Sequence, residues 1–418
     1  MSRQPFLGTV LLFVFAVPTA FAQADAPASP RPTLTLRAAT EEALTRNPEL
    51  RVLQREYEVA RGAPETQRHL MPPMAEMQIW GWPVTTLNPA RTDMYMFMGE
   101  QELPGRGKRA ARVRVAEREA DISRQEIAVR ANQIMRDVRD AYIELAFTRE
   151  TFAVYARQGA VLEELAETAT SRYAAGEGPQ HHTVATIVEL AAVERERIAA
   201  EGRAQAAEAR LNALLGRTVS ERVEALDIVV STVTAAEAEA LALSRHPEVA
   251  MVAAGVAKEE AELARLRGER RPDYVVGGGY MLQPGGAGAW TARVGLTWPN
   301  APWSRGRLNA EIDVQSTRVE AAKARGDVIA TQLRQSVREA AIRIEAAERQ
   351  LRLIEFSVLP QIEHAFELAR LAYAAGEGTF SEVLDARRML LSTELESVEA
   401  RANLAHARAD LDTVAGAL

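Results

Sequence analysis

The sequence contains no cysteine. It can therefore build no disulfide framework, no thiolate zinc or iron–sulfur site and no cysteine nucleophile. A lipid anchor on an N-terminal cysteine is excluded with them. Aromatic residues make up only 6% of the chain, while alanine is abundant, a balance that suits long helices in shallow bundles better than a bulky globular core. A basic excess is missing too. Lys and Arg total 50 against 57 Asp and Glu, a formal net charge of −7, which argues against general nucleic-acid binding. No run of about 18 apolar residues is present, so no transmembrane helix is expected; a β-barrel span stays open, because its signal per strand is weak. There is no phosphate loop, nucleophile elbow or His-Glu-x-x-His motif. The sequence points to no enzyme and to no cofactor.

Residues 1–22 read as a secretory signal peptide. Arg3 supplies the positive start, Phe6 to Val17 form a twelve-residue apolar stretch, and Ala20-Phe21-Ala22 is a small-x-small cleavage site. The alternative is an uncut membrane anchor, for which the stretch is short.

What the chain does have is a duplication. Residues 43–50 read ALTRNPEL and residues 242–249 read ALSRHPEV. Arg106-Gly107-Lys108 returns as Arg305-Gly306-Arg307, and Tyr173-Ala174-Ala175-Gly176-Glu177-Gly178 returns unchanged as Tyr373 to Gly378. The offsets are 199, 199 and 200. Residues 23–220 form a first structural repeat: a helix, a β-hairpin at about 74–103, a long helix over 105–172, a turn and a helix over 179–215. Residues 221–418 form a second: a helix, a hairpin at about 273–299, a long helix over 305–373, a turn and a helix over 380–415.

The long helices follow from spacing. Between Arg106 and Tyr173 there is no proline, and only Gly107 and Gly159 interrupt. In the second copy Val319, Ala322, Gly326, Ile329, Leu333, Val337, Ala340, Ile344, Ala347, Leu351, Ile354 and Val358 recur in steps of three and four. That is a heptad seam, and its small residues let neighbouring helices approach closely. A rod of this length runs roughly 100 Å and must pack against other rods. Pro360 is expected to bend the second one near its far end.

The two Pro/Gly-punctuated gaps alternate with a period of two. Tyr274, Val276, Tyr280 and Leu282 share one parity; Asp273, Gly277 and Gly279 share the other. After Gln283-Pro284-Gly285-Gly286, Trp290, Ala292, Val294, Leu296 and Trp298 alternate with Thr291, Arg293, Gly295 and Thr297. An apolar face with aromatics toward its ends, in strands of about 9–11 residues, fits a lipid-facing barrel strand. A soluble hairpin packed on a helical core would show the same alternation. If the strands span a bilayer, four per chain cannot close a barrel and the chain must oligomerise. Three copies would supply twelve strands.

In this arrangement the chain resembles the TolC-type outer-membrane efflux ducts. The resemblance runs from Leu36 to the C-terminus, and the segment YAAGEGTFSEVLDA, Tyr373 to Ala386, looks like the family's second periplasmic turn. It implies a mainly α chain with a small β part. Long antiparallel helical hairpins would form a trimeric α-barrel tunnel in the periplasm. Four strands per chain would join a 12-stranded transmembrane β-barrel in outer-membrane lipid. A periplasmic adaptor and an inner-membrane pump of the RND type are the implied partners, beside the chain's own copies in a homotrimer. Glu102 to Ala110, ELPGRGKRA, resembles the heavy-metal efflux branch (CzcC- and CusC-like). Many relatives carry a lipidated cysteine after the signal; this chain has none.

Against that background the candidate residues are few. Tyr173, Gly176, Gly178, Tyr373, Gly376 and Gly378 build the turns, where glycine supplies left-handed caps, and the resemblance adds adaptor contact. Thr379-Phe380-Ser381-Glu382 fits a capping box, and Asp385 follows on the same helical face. In the family, acids at these places form a constriction ring, so Glu382 and Asp385 are candidates for a gate; His182 and Ala185 stand at the matching places of the first half. Six of the eleven methionines fall between Met71 and Met98. Met94, Met96 and Met98 share a parity with Glu100 and Glu102, so they would face a lumen, where thioethers suit soft cations or act as filler. His181 and His182 are expected to point apart into solvent, while His69, His246, His364 and His406 lack ligand spacing.

A passive exit duct for heavy-metal cations is the expected function. Drug or small-molecule export and type I protein secretion are variants of the same structure. A soluble periplasmic coiled-coil adaptor or scaffold is the alternative of a different class.

Overall fold

The computed structural model describes residues 34–86, 88, 91–223, 226–227 and 233–416. The signal-peptide reading of residues 1–22 lies outside them. The elements run β1 (Leu34–Thr35), α1 (Leu36–Arg46), α2 (Pro48–Arg68), β2 (Met74–Trp80), β3 (Met94–Leu103), α3 (Lys108–Ala174) and α4 (Gln180–Leu215). The second half follows as β4 (Leu226–Asp227), α5 (Ala235–Arg245), α6 (Pro247–Gly268), β5 (Asp273–Leu282), β6 (Ala289–Thr297), α7 (Arg305–Leu353), a π turn (Ile354–Val358), α8 (Leu359–Ala375) and α9 (Phe380–Ala415).

The ALTRNPEL and ALSRHPEV motifs are helix junctions. Asn47 and His246 end one helix and cap the next: the Asn47 side chain accepts from Glu49 N at 2.8 Å, and His246 Nδ1 accepts from Glu248 N at 3.3 Å. Pro48 and Pro247 take the first helical position, where a missing N–H costs nothing. Gly216 and Gly416, both at positive φ, close α4 and α9 beside these junctions, and a Cβ on Gly216 would lie 3.1 Å from the Arg46 carbonyl.

Helix α3 has 67 residues, so it spans roughly 100 Å. Small side chains hold it against its neighbours. One core joins Ala39, Ala43, Val138, Ala141, Leu211 and Leu215. Another joins Ala238, Ala242, Val337, Ala340, Leu411 and Ala415. These are the same positions displaced by 199 residues in α1 and α3 and by 200 in α4. None of the twelve seam positions of the second rod is exposed.

The extra residue in the second half has a physical location. The offset grows from 199 to 200 between Ala141/Ala340 and the tip turns, and the π turn Ile354–Val358 lies in that interval. There Leu359 N–H donates to the Ile354 carbonyl, five residues back. A π turn is how a helix absorbs one inserted residue. Pro360 follows at the start of α8. Where a bend is expected from the proline, the structure thus shows a break in the α-helical hydrogen bonding that an insertion and a proline share.

The sheet has the order β2-β3-β5-β6, with every pair antiparallel. Phe97 pairs with Tyr280 and Tyr280 with Trp290, which fixes one face as apolar; Glu100 pairs with Gly277 and Gly277 with Arg293, which fixes the other as polar. The apolar face is bare, with Met77, Phe97, Val276, Trp290, Val294 and Leu296 exposed. Strand β2 has only 7 residues, fewer than the 9–11 expected. Gly81 at positive φ and Pro83 end it early, and Asp93 N closes the hairpin on the Trp80 carbonyl at 3.0 Å. Strands β2 and β6 are the edges, each with one neighbour. No helix among the described residues is long and apolar enough to cross a membrane.

Candidate functional site

The end of the rods farthest from the sheet carries the two identical turns. In both, the glutamate's amide returns to the carbonyl of the residue before the tyrosine: Glu177 N donates to Arg172 O at 2.8 Å, and Glu377 N to Ala372 O at 2.9 Å. Gly176 (φ +73°) and Gly376 (φ +82°) occupy the left-handed position that this closure needs. The second glycines differ in surroundings. A Cβ on Gly178 would make an ordinary 3.5 Å contact with the Arg172 Cβ, whereas on Gly378 it would stand 3.0 Å from the Ala372 Cβ.

The tyrosines that begin the turns have opposite fates. Tyr173 is 48% exposed and Tyr373 is 3% exposed. Tyr373 is covered by the first hairpin. Arg172 stacks over its ring at 4.9 Å and donates to its carbonyl, and its hydroxyl lies 3.2 Å from His182 Nδ1. His182 stacks on Phe380 at 4.6 Å between centroids. The expectation of a solvated histidine pair is therefore corrected. His181 is exposed, but His182 is half-buried, and the two rings meet edge-on at 4.6 Å. The first turn of α4 faces the second tip, which the helical angle between neighbouring residues does not reveal. Burial, with His181 and Arg172 nearby, holds the His182 imidazole below its ordinary pKa.

Glu382 completes the capping box of α9. It accepts from Thr379 N at 2.9 Å, while its own amide donates to Thr379 Oγ1 at 3.3 Å. Hydrogen bonds from the Thr379 amide and then its hydroxyl hold the Glu382 carboxyl below the usual range. Asp385 is exposed and pairs with Arg388 at 3.2 Å. The two acids are thus one turn apart on α9, each with its own local partner. Beside them lies a network the sequence did not announce. Glu189 of α4 accepts from Arg388 and, at 3.3 Å, from Arg387. Arg387 is buried, its guanidinium 3.5 Å from Gln158 of α3, and burial lowers its pKa. In the sequence it stands only as the first of two arginines, two and three residues after Asp385.

At the other end, Met96 pairs with Gln78 and Met281, and Met98 with Glu76 and Gly279, so Met94, Met96 and Met98 share the polar face with Glu100. Glu100 forms an ion pair with Arg293 across it. Among the described residues no three His, Asp or Glu side chains gather as metal ligands. The junction of sheet and rods is pinned by Lys108, whose buried ammonium bonds Glu269 at 2.8 Å and Asp273 at 2.7 Å. Asp273 also accepts from Gly105 N at 2.7 Å. One lysine at the start of α3 thereby ties the first half to the end of α6 and the start of β5 in the second.

The arrangement has known counterparts. The profile of a family described as "Outer membrane efflux protein" matches residues 39–217 and 240–417. The cobalt-zinc-cadmium resistance protein CzcC of Cupriavidus metallidurans is 26% identical over 316 residues, 74% of each chain. Among solved structures, CusC superposes with a TM-score of 0.77 at 14% identity, covering 91% of both chains. The outer membrane protein VceC of Vibrio cholerae superposes with 0.75 at 18% identity, covering 91% of this chain and 96% of that one.

Proposed function

The chain belongs to the outer membrane efflux protein family, and from that premise we propose that it is the passive exit duct of a tripartite efflux system, assembled as a homotrimer. It is a transport protein and not an enzyme. The observation that carries the duct is the sheet: one bare apolar face, one polar face and two unpaired edges, standing on rods of roughly 100 Å. Lipid tolerates no open edge. Joining the β2 edge of one copy to the β6 edge of the next closes twelve strands round a polar lumen. The rods then continue that lumen as a helical tunnel, and energy for export comes from a partner.

In this reading residues 23–220 and 221–418 are two copies of one unit, preceded by a cleaved signal at 1–22. The tips at Tyr173, Gly176 and Gly178 and at Tyr373, Gly376 and Gly378 meet a periplasmic adaptor, itself coupled to an RND-type inner-membrane pump. Asp385, with Glu382, supplies carboxylates that narrow the tunnel near its tips. The cargo is heavy-metal cations, a reading supported by the resistance protein CzcC among the relatives; drugs or secreted proteins would use the same frame. Met94, Met96 and Met98 supply soft ligands to the lumen wall.

The test is membrane fractionation followed by the detergent-corrected mass of the purified particle. An outer-membrane particle of three chains supports the duct. A periplasmic monomer or dimer overturns it in favour of a scaffold. Metal sensitivity of a deletion strain, against unchanged drug sensitivity, tests the cargo.

A further inference from the structure

We infer that the ring of arginines where the sheet meets the rods binds the headgroups of anionic phospholipids, fixing the depth of the barrel in the leaflet on the helical side. This rests on the membrane reading above. Residues 102–114 carry five basic side chains and one acid, 265–273 four and two, and 298–307 two and none, in a chain of net charge −7. The fold brings the three segments together. Leu103 pairs with Tyr274 and Tyr274 with Leu296, while Arg271 donates to the Arg106 carbonyl.

Of the three local acids, Glu102 stands on the polar face of β3 and the other two are already engaged. Glu269 and Asp273 turn inward to Lys108. Arg106, Arg109, Arg114, Arg267 and Arg305 are exposed, and among the described residues none of them forms an ion pair. Neither α3 nor α7 has an acid in its first turn, so the positive ends of two helix dipoles add to the same field. Above this collar stands the apolar band, whose last exposed side chains are Tyr274, Leu296, Trp298 and Trp303. The Trp298 and Trp303 rings meet edge-on at 6.1 Å. Amphipathic aromatics beside long cationic side chains mark the headgroup level of a bilayer. Exposed arginines at that level attract anionic lipid at a strength that multiplies with each charge.

Full-length protein in neutral detergent is mixed with equal phosphatidylglycerol and phosphatidylcholine, and the lipid retained after size-exclusion chromatography is counted. The expected result is a roughly tenfold or greater preference for phosphatidylglycerol, abolished by molar salt. The R106Q/R109Q/R114Q/R267Q/R305Q variant loses that preference, and the corresponding five-lysine variant keeps it. Equal retention of the two lipids by the wild type, or a preference surviving in the glutamine variant, overturns the inference while leaving the barrel standing. Should the glutamine variant misfold by circular dichroism, the salt arm and the lysine variant decide. Retention of neither lipid, with no fractionation to the outer membrane, overturns the membrane reading itself.

Discussion

His182 lies on Phe380, ring centroids 4.6 Å apart and planes 21° from parallel, so the first turn of α4 is stacked on the first turn of α9. The contact joins the two hairpins at their tips and contains a titratable ring. Its pKa is depressed from the ordinary 6.5, chiefly by burial and then by His181 and Arg172. Folding therefore favours the neutral imidazole. The contact is at full strength above pH 6.5 and weakens as pH falls through 6.5 toward the lowered value, because the unfolded state binds the proton more readily. Hydrogen exchange of the tip amides is expected to quicken over that window. In the His182→Phe variant the quickening is expected to vanish; its persistence would assign the effect to another group.

Lys108 is the second point of tension. Its replacement by Met removes the cation that Glu269 and Asp273 share: Glu269 keeps Arg265 at 3.3 Å, while Asp273 keeps only the Gly105 amide of its two partners. Losing one partner of a buried ion pair costs about 3–5 kcal/mol, and the partly exposed carboxylates place Lys108→Met at about the lower end of that range. The melting temperature in detergent measures it. A change below about 1 kcal/mol would mean water replaces the ammonium without penalty.

Identical letters at the tips predict unequal costs. Gly176→Ala and Gly376→Ala each force a side chain into the left-handed region, about 1–2 kcal/mol. Gly178→Ala enters ordinary contact and is expected to be near neutral, while Gly378→Ala must displace the Ala372 side chain. Parallel unfolding measurements on Gly178→Ala and Gly378→Ala decide. Equal effects would refute the asymmetry of the two turns.

The proposed constriction is tested without disturbing the α9 cap. Glu382→Gln keeps a side chain able to close the capping box, and Asp385→Asn removes the second charge. The double variant is expected to pass more current in planar bilayers and to lose sensitivity to multivalent cations. Wild-type conductance and block in that variant would remove the two acids from the gate.

The duplication, the rods and the alternating strands were legible because each is a periodicity. Ala39 and Ala238, or Val138 and Val337, occupy matching core positions at the offset that the repeated motifs show. The capping role of Glu382 was legible because it is local, with all its partners within three residues. Lys108 was not, since its carboxylates lie more than 160 residues away in the other half. His182 was misjudged for the same reason: what covers it is Phe380, across the gap between hairpins. The short β2 was missed because alternation does not say where Gly81 will turn the chain. Contacts within one turn of helix or one strand pair are written in order along the chain; contacts between the halves are not.

The π turn has a consequence for symmetry. Two equal halves in three copies would set six equivalent hairpins around one axis. The residue absorbed at Ile354–Val358 belongs to every second hairpin only, and Tyr173 and Tyr373 already stand in different surroundings. On the trimeric reading the tunnel mouth has lost its sixfold character and alternates. A partner that approaches it meets two kinds of socket, three of each, and can be built from two non-identical contacts rather than one repeated six times.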